Sequence, residues 1–239
     1  MTKNIFTENI NTKKKIKHRI RSFVRRQSRL TNNQRHALEI LWPQIGLNFF
    51  SQPLVFSKIF GNRAPVIMDI GFGMGIELVT MAKKNPNKNF LGIEVYKPGI
   101  GACLIAATEM QITNLRIMYY DAVEILEKML TNNTLNMIQL FFPDPWPKKK
   151  HQKRRIIQKN TAKLILDKLE IGGILHITTD CQSYAEHILK IITEIHGYKN
   201  LSTTDNYIER PHSRPFTKFE KRGKKLGNTI FDIMFKKIK

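Results

Sequence analysis

Acidic residues are scarce in this 239-residue chain: 19 Asp and Glu stand against 40 Lys and Arg, a formal net charge of +21. Cysteine is nearly missing as well. Cys103 and Cys181 are far apart and show no metal-ligand spacing, which excludes a disulfide scaffold, argues against a metal site and fits a reducing cytoplasm. Long apolar runs are absent. The most apolar early stretch, Ile45 to Phe60, is interrupted by Asn48, Ser51, Gln52, Pro53, Ser57 and Lys58, and nothing approaches the roughly 20 apolar residues of a membrane-spanning helix. The basic N-terminus has no apolar core after it and is not a secretory signal. A chain of this length buries a large core without staples, as one α/β domain with a terminal extension.

What is present is positive charge, unevenly placed. Residues 1–36 hold eleven Lys or Arg against the single acid Glu8, whereas residues 61–145 hold seven against eight acids. A coding bias toward Lys would spread it evenly, so the segregation points to a polyanionic partner, nucleic acid before membrane surface. Residues 1–35 read as a basic, partly disordered extension and residues 36–239 as the folded domain. From Pro65 onward short apolar runs alternate with helical patterns. Strands are expected at Val66–Ile70, Phe90–Val95, Leu115–Tyr120, Met137–Phe142 and Ile174–Thr179, with a final pair at Leu201–Thr204 and Thr229–Lys236. Helices are expected through 77–84, 101–110, 122–130, 153–169 and 183–196. This is the pattern of a doubly wound, mostly parallel, seven-stranded Rossmann-like sheet. No segment reads as a dimer face, so a monomer is expected, with a homodimer as the alternative.

The turn after the first of these strands is Asp69-Ile70-Gly71-Phe72-Gly73-Met74-Gly75. Gly71, Gly73 and Gly75 let backbone approach a ligand, but a dinucleotide fingerprint would need its third glycine at the position of Ile76. Three acids end the strands of the same sheet edge. Glu94, 23 residues after Gly71, is placed for ribose hydroxyls, Asp121 for an adenine amino group, and Asp69 for the ammonium of a methionine moiety. Asp121 could equally be a helix N-cap. No basic residue occurs from Val66 to Thr80, which disfavours a phosphate-bearing ligand. An acidic rim suits the cationic sulfonium of S-adenosylmethionine.

After the fourth strand comes Phe141-Phe142-Pro143-Asp144-Pro145-Trp146-Pro147, a proline-stiffened loop in which Asp144 could hold a base and Trp146 either stack on it or pack beneath the loop. Lys148 to Arg155 then puts seven cationic or titratable side chains into eight positions. Beside the catalytic loop, that run reads as a phosphate clamp.

With these stretches the chain resembles the bacterial tRNA (guanine-N7-)-methyltransferases, from about Ser22 to the C-terminus. The resemblance rests on Ser22-Phe23-Val24-Arg25-Arg26, the Gly71–Gly75 turn, Leu91-Gly92-Ile93-Glu94, Phe142–Trp146 with its basic tail, Thr178-Thr179-Asp180, Ser213-Arg214-Pro215 and Thr217-Lys218-Phe219-Glu220. It implies cofactor contacts at Asp69, Glu94, Asp121 and Asp144, with Asp144 as the active-site residue. It implies substrate contacts at Lys148, Asp180, Thr217, Lys218, Phe219 and Glu220, and RNA contacts at Lys150, His151, Gln152, Lys153, Arg154 and Arg155. Close relatives often carry Glu where this chain has Asp69. The implied target is a guanine of the tRNA variable loop, position 46 in tRNA numbering. Guanine N7 has a free lone pair, so no general base is needed; Asp144, Asp180 and Glu220 are the candidates for holding the guanine and the growing purine charge. The rivals are an exocyclic-amino methyltransferase, whose D-P-P-aromatic loop Asp144-Pro145-Trp146 approaches, a non-catalytic tRNA-binding protein, and an NAD enzyme.

Overall fold

Thr31 opens the first helix with a capping box: its hydroxyl accepts from the Gln34 amide and the Gln34 side chain accepts from the Thr31 amide. The computed structural model describes residues 20–24, 28–204 and 206–239; expectations for residues 1–19, and for Arg25 and Arg26, lie outside them. Helix α1 (Asn32–Ile40) is followed by α2 (Trp42–Ile45), the two-residue strand β1 (Gly46–Leu47) and α3 (Phe56–Phe60). Then come β2 (Val66–Ile70), α4 (Ile76–Lys84), β3 (Asn89–Glu94), α5 (Lys97–Glu109), β4 (Leu115–Tyr119), α6 (Ala122–Lys128) and β5 (Leu135–Phe141). A 3-10 turn (Lys149–Arg154) leads to α7 (Lys159–Lys168), β6 (Leu169–Thr179), α8 (Gln182–Thr193), β7 (Tyr198–Asn200), α9 (Lys218–Lys225) and β8 (Phe231–Lys237).

The sheet order is β1-β4-β3-β2-β5-β6-β8-β7, parallel from β1 through β6, with β8 antiparallel to both β6 and β7. Every residue of β2 and β3 is buried, as a parallel sheet covered on both faces requires. One core packs α6, α7 and α8 against one face, around Ile125, Ile165 and Tyr184. The other packs α1, α4 and α5 against the opposite face, around Ala37, Leu78 and Leu104. The carboxyl ends of β2, β3, β4 and β5 therefore open on one edge, the ligand edge of such sheets.

Four expectations shift. The sheet has eight strands rather than seven because β1 adds to the free edge of β4. The helix expected over 153–169 starts only at Lys159, since Arg155 turns its side chain inward, where Nε donates to the Pro145 carbonyl and Nη1 to that of Ser183. The last pairing starts earlier than Leu201. The Asn200 side chain accepts from the Ser202 amide, and this Asx turn ends the strand. Helix α1 also runs across the boundary placed at residue 35. Among the described residues no helix is long and apolar enough to cross a membrane.

Candidate functional site

Three left-handed glycines carry the chain from β2 into α4: Gly71 (φ 82°), Gly73 (φ 62°) and Gly75 (φ 80°). Only glycine takes these angles without cost. The space where side chains would stand on Gly71 and Gly73 is open, with no atom within 4 Å, so the loop presents bare backbone to a ligand. Its position is fixed by Glu94, whose Oε2 accepts from the Gly73 amide at 2.9 Å while Oε1 accepts from the amides of Val95 and Tyr96. A carboxylate offers about four lone-pair sites. Three are occupied, so Glu94 keeps one for a ribose hydroxyl rather than the two expected. Helix α5 supports the loop from behind. A methyl group on Gly99 would lie 2.0 Å from the Gly73 carbonyl oxygen. Gly99→Ala is therefore expected to displace the loop and weaken cofactor binding at least about tenfold, with far-ultraviolet circular dichroism unchanged; undiminished affinity in a calorimetric titration would refute the contact.

The loop forms one wall of a cavity of about 520 Å³. Asp69, Gly71, Gly73, Glu94, Asp144, Thr217, Lys218 and Phe219 line it, joining residues far apart in sequence. Gly75 lies beneath, against Cys103. Asp69 is buried at the end of β2; burial first, then the charges of Glu94 and Glu77, push its carboxyl up to about 7. Burial also raises Glu94, with Asp144 adding to the rise and the three backbone donors opposing it. Three carboxylates crowded in this way repel one another until a cation arrives, and no cationic side chain lies in the Gly71–Gly75 loop. The donor set and the open glycines fit a cationic adenosyl sulfonium. Asp121 is buried and caps α6 by accepting from the Val123 amide at 3.0 Å; its neighbours Tyr120 and Ala122 line the cavity.

The loop after β5 is strained at two bulky residues, Phe142 (φ 54°) and Trp146 (φ 43°), a conformation that persists only when its surroundings enforce it. Asp144 lies exposed between them. Trp146 packs beneath its loop: its Nε1 donates to the Ser22 carbonyl at 3.0 Å, Arg154 covers its ring at 5.0 Å, and His151 meets it edge-on. Among the aromatic residues lining the cavity, Phe142 and Phe219 form a near-parallel pair; Phe219 is 65% exposed, and their centroids are 6.4 Å apart with planes 24° from parallel.

Other expected residues divide. Thr217 caps α9 through the Glu220 amide and is itself at the wall. Glu220 is fully buried, its carboxylate taken up by Arg214 at 2.7 Å and Arg210 at 3.1 Å; it braces the wall from behind instead of facing a guanine. Asp180, at the end of β6, accepts from the Asn228 side chain and stands outside the cavity lining. Lys148, Lys150 and Lys153 are exposed, with His151, Gln152 and Arg154 half-buried, so this face of the 3-10 turn is free for phosphate. Arg155 is buried over the Tyr184 ring and is structural. Sequence reasoning gave no site role to Ser22, Phe23, Val24, Ser28, Tyr96 or Phe142, which all line the cavity. The Ser22-Phe23-Val24 stretch was among the distinctive motifs, and that was the signal available.

Residues 63–233 match the family described as "Putative methyltransferase". The tRNA (guanine-N(7)-)-methyltransferase of Salmonella typhimurium is 56% identical over 221 residues, 92% of each chain. That of Photorhabdus laumondii is 52% identical over the full length of both. Among solved structures, the 16S rRNA methyltransferase KamB superposes with a TM-score of 0.56 at 12% identity, over 77% of this chain and 93% of that one. An rRNA methylase from Streptococcus thermophilus gives 0.51 at 14%, over 80% and 99%. At these identities the two structures establish the fold alone.

Proposed function

Because the chain belongs to the tRNA (guanine-N(7)-)-methyltransferase family, we propose that the cavity at the carboxyl edge of β2, β3 and β5 transfers a methyl group from S-adenosylmethionine to N7 of a tRNA guanine. The target we assign is position 46 in the variable loop. The bound cofactor supplies an electrophilic methyl group on a sulfonium, and the protein supplies placement and charge. Asp69, Glu94 and Asp121 hold the cofactor's ammonium, ribose and adenine ends, against the open backbone of Gly71 and Gly73. Phe142 and Phe219 offer nearly parallel faces to the guanine, and Thr217 and Lys218 close the same wall. Lys148, Lys150, Lys153 and Arg154 grip phosphates outside.

N7 carries a lone pair and no proton, so no base is called upon. As the methyl group moves, positive charge passes onto the purine, and Asp144 at the cavity mouth is positioned to stabilise it. The observation that carries this reading is the trio Asp69, Glu94 and Asp144 around one cavity, with no cation in the glycine loop to receive a phosphate. The basic N-terminal extension acts as an arm on the tRNA, with its Ser22, Phe23, Val24 and Ser28 also closing the catalytic cavity, and the protein works as a monomer in the cytoplasm. The test is transfer from labelled S-adenosylmethionine to unmodified tRNA transcripts, followed by chemical mapping of N7-methylguanine. Label at one variable-loop guanine supports the assignment; label on an exocyclic amino group replaces it with the amino-methyltransferase reading.

The raised carboxyl of Asp69 has a measurable consequence. Below pH 7 it holds a proton in the free protein, and a cationic ligand needs that proton gone. Cofactor affinity is therefore expected to fall by about tenfold per pH unit below 7 and to level off above it. The negative charges of Glu94 and Glu77 face the same carboxyl and help to raise it, while the buried Cys103 thiol, pushed up by burial, stays neutral throughout. Asp69→Asn should remove most of the slope. Calorimetric titrations across the neutral range check this, and a pH-independent affinity contradicts it.

A further inference from the structure

Beside the edge strand β1 lies a second cavity, of about 380 Å³, which no step above uses. Its walls come from α1, α2, β1 and the ends of the β3–α5 and β4 segments, and include Trp42, Phe49 and Tyr119, with Arg35, Glu39 and Lys97 at the rim. We propose that it seats a second nucleotide of the bound tRNA, the base on the Trp42 and Tyr119 rings and the phosphate on Arg35 and Lys97. This rests on tRNA being the substrate of the first cavity.

Trp42 is built as a platform. A side chain on Gly46 would stand 2.2 Å from the indole, so one face of the ring lies flat on bare backbone. Its Nε1 donates to the Asn48 side chain at 3.0 Å, which fixes the ring and satisfies its only polar atom. The ring still lines the cavity with its remaining surface. Tyr119, the last residue of β4, is 38% exposed in a chain whose other β4 aliphatics, Leu115, Ile117 and Met118, are fully buried. Two part-exposed aromatic rings lining one cavity, one of them fixed by a hydrogen bond, offer the kind of surface on which single-stranded bases stack, independently of sequence.

Charge and position name the occupant. Arg35 and Lys97 outnumber Glu39 at the rim, and among the described residues before α1 Arg21 and Arg29 are exposed cations with no acid beside them in sequence. Such a surface attracts a polyanion. The two cavities are neighbours on the same edge of the sheet. Phe49 lines the second and stacks at 3.9 Å, within 10° of parallel, on Tyr120, which lines the first. Lys97 adjoins Tyr96, and Leu30 lies two residues from Ser28, in each case one residue on either side of the shared wall. An RNA whose guanine enters the first cavity therefore runs directly past the second.

The test uses the full chain with Tyr119→Ala, Tyr119→Phe and Lys97→Gln, assayed for methyl transfer to tRNA. Tyr119→Ala is expected to raise KM for tRNA about tenfold or more, with kcat and cofactor affinity within about twofold of the parent, and Tyr119→Phe is expected to restore KM. Lys97→Gln should reduce the slope of log affinity against log salt by about one. A KM for Tyr119→Ala equal to the parent's overturns the proposal, as it would if a protein segment or a second copy filled the cavity. So does a joint fall of kcat and cofactor affinity, which would make Tyr119 a prop for Tyr120. If the parent chain itself transfers no methyl group to tRNA, the fault lies with the substrate reading, which the variants alone cannot produce.

Discussion

Asp144→Asn is expected to lower turnover by at least about a hundredfold, the range seen when one preorganised electrostatic group is lost at a reacting centre. Cofactor affinity should change by only a few-fold. The two effects separate because of where the carboxylate stands. Asp144 is exposed at the cavity mouth, between the strained residues Phe142 and Trp146, whereas Asp69 and Glu94 are buried at the cofactor end. In the ground state water screens Asp144 from the sulfonium. Once the guanine covers the mouth, that screening is removed and the charge arriving on the purine meets the carboxylate directly. Losing Asp144 also relieves its repulsion on Glu94, which offsets part of any loss in cofactor attraction. Single-turnover rates with saturating cofactor, beside a cofactor titration, check this. Near-normal turnover would remove Asp144 from the chemistry, and an equal loss in affinity would make it a binding residue only.

Arg214→Ala should cost about 3–5 kcal/mol of stability, the range for one partner removed from a buried ion network. In a chain of this size that lowers the melting temperature by roughly 10 °C. Arg214 is 2% exposed and bridges two carboxylates: Nη1 and Nη2 donate to Glu220, Nη2 donates to Asp232 at 3.0 Å, and Nε lies 2.9 Å from Asp232 Oδ1 as an ion contact without hydrogen-bond alignment. Deleting the guanidinium strands Glu220, fully buried, with Arg210 as its main partner. Burial pushes the Asp232 carboxyl up, but His176, Arg214 and Thr178 together hold it below the ordinary aspartate range. A carboxyl lowered in this way stabilises the fold above its unfolded pKa and loses that contribution as pH falls through its folded one. The gap between variant and parent should therefore narrow in acid. Arg214→Lys should rescue little, because one ammonium cannot fork between two carboxylates. Urea unfolding measures the loss, and a value under about 1 kcal/mol would contradict the network's importance.

The two expectations also mark what the sequence could and could not reveal. The Gly71–Gly75 turn and the acids Asp69, Glu94 and Asp121 were legible because strand periodicity and glycine spacing are local, and a parallel sheet puts its carboxyl ends on one edge. The buried role of Glu220 was not legible. It depends on Arg214 and Asp232, six and twelve positions away on opposite sides, meeting across α9 and β8. Arg155 belongs to a cationic run with no local mark to separate it from Arg154, yet one enters the core and the other covers Trp146. Phe142 was hidden for a different reason: left-handed backbone at a bulky residue is imposed by its surroundings, and no composition rule announces it. The strand β1 is two residues long, below any periodicity.

The measurement that tests the central claim most directly uses a tRNA transcript whose variable-loop guanine is replaced by 7-deazaguanine, which keeps the pairing edge and puts a carbon where N7 stood. The account predicts that this tRNA binds as the unmodified one does, competes with it, and accepts no label from S-adenosylmethionine. Label entering the 7-deaza transcript at the parent rate would show that the methyl group goes to another atom or another residue, and the assignment of N7 at this position would fall.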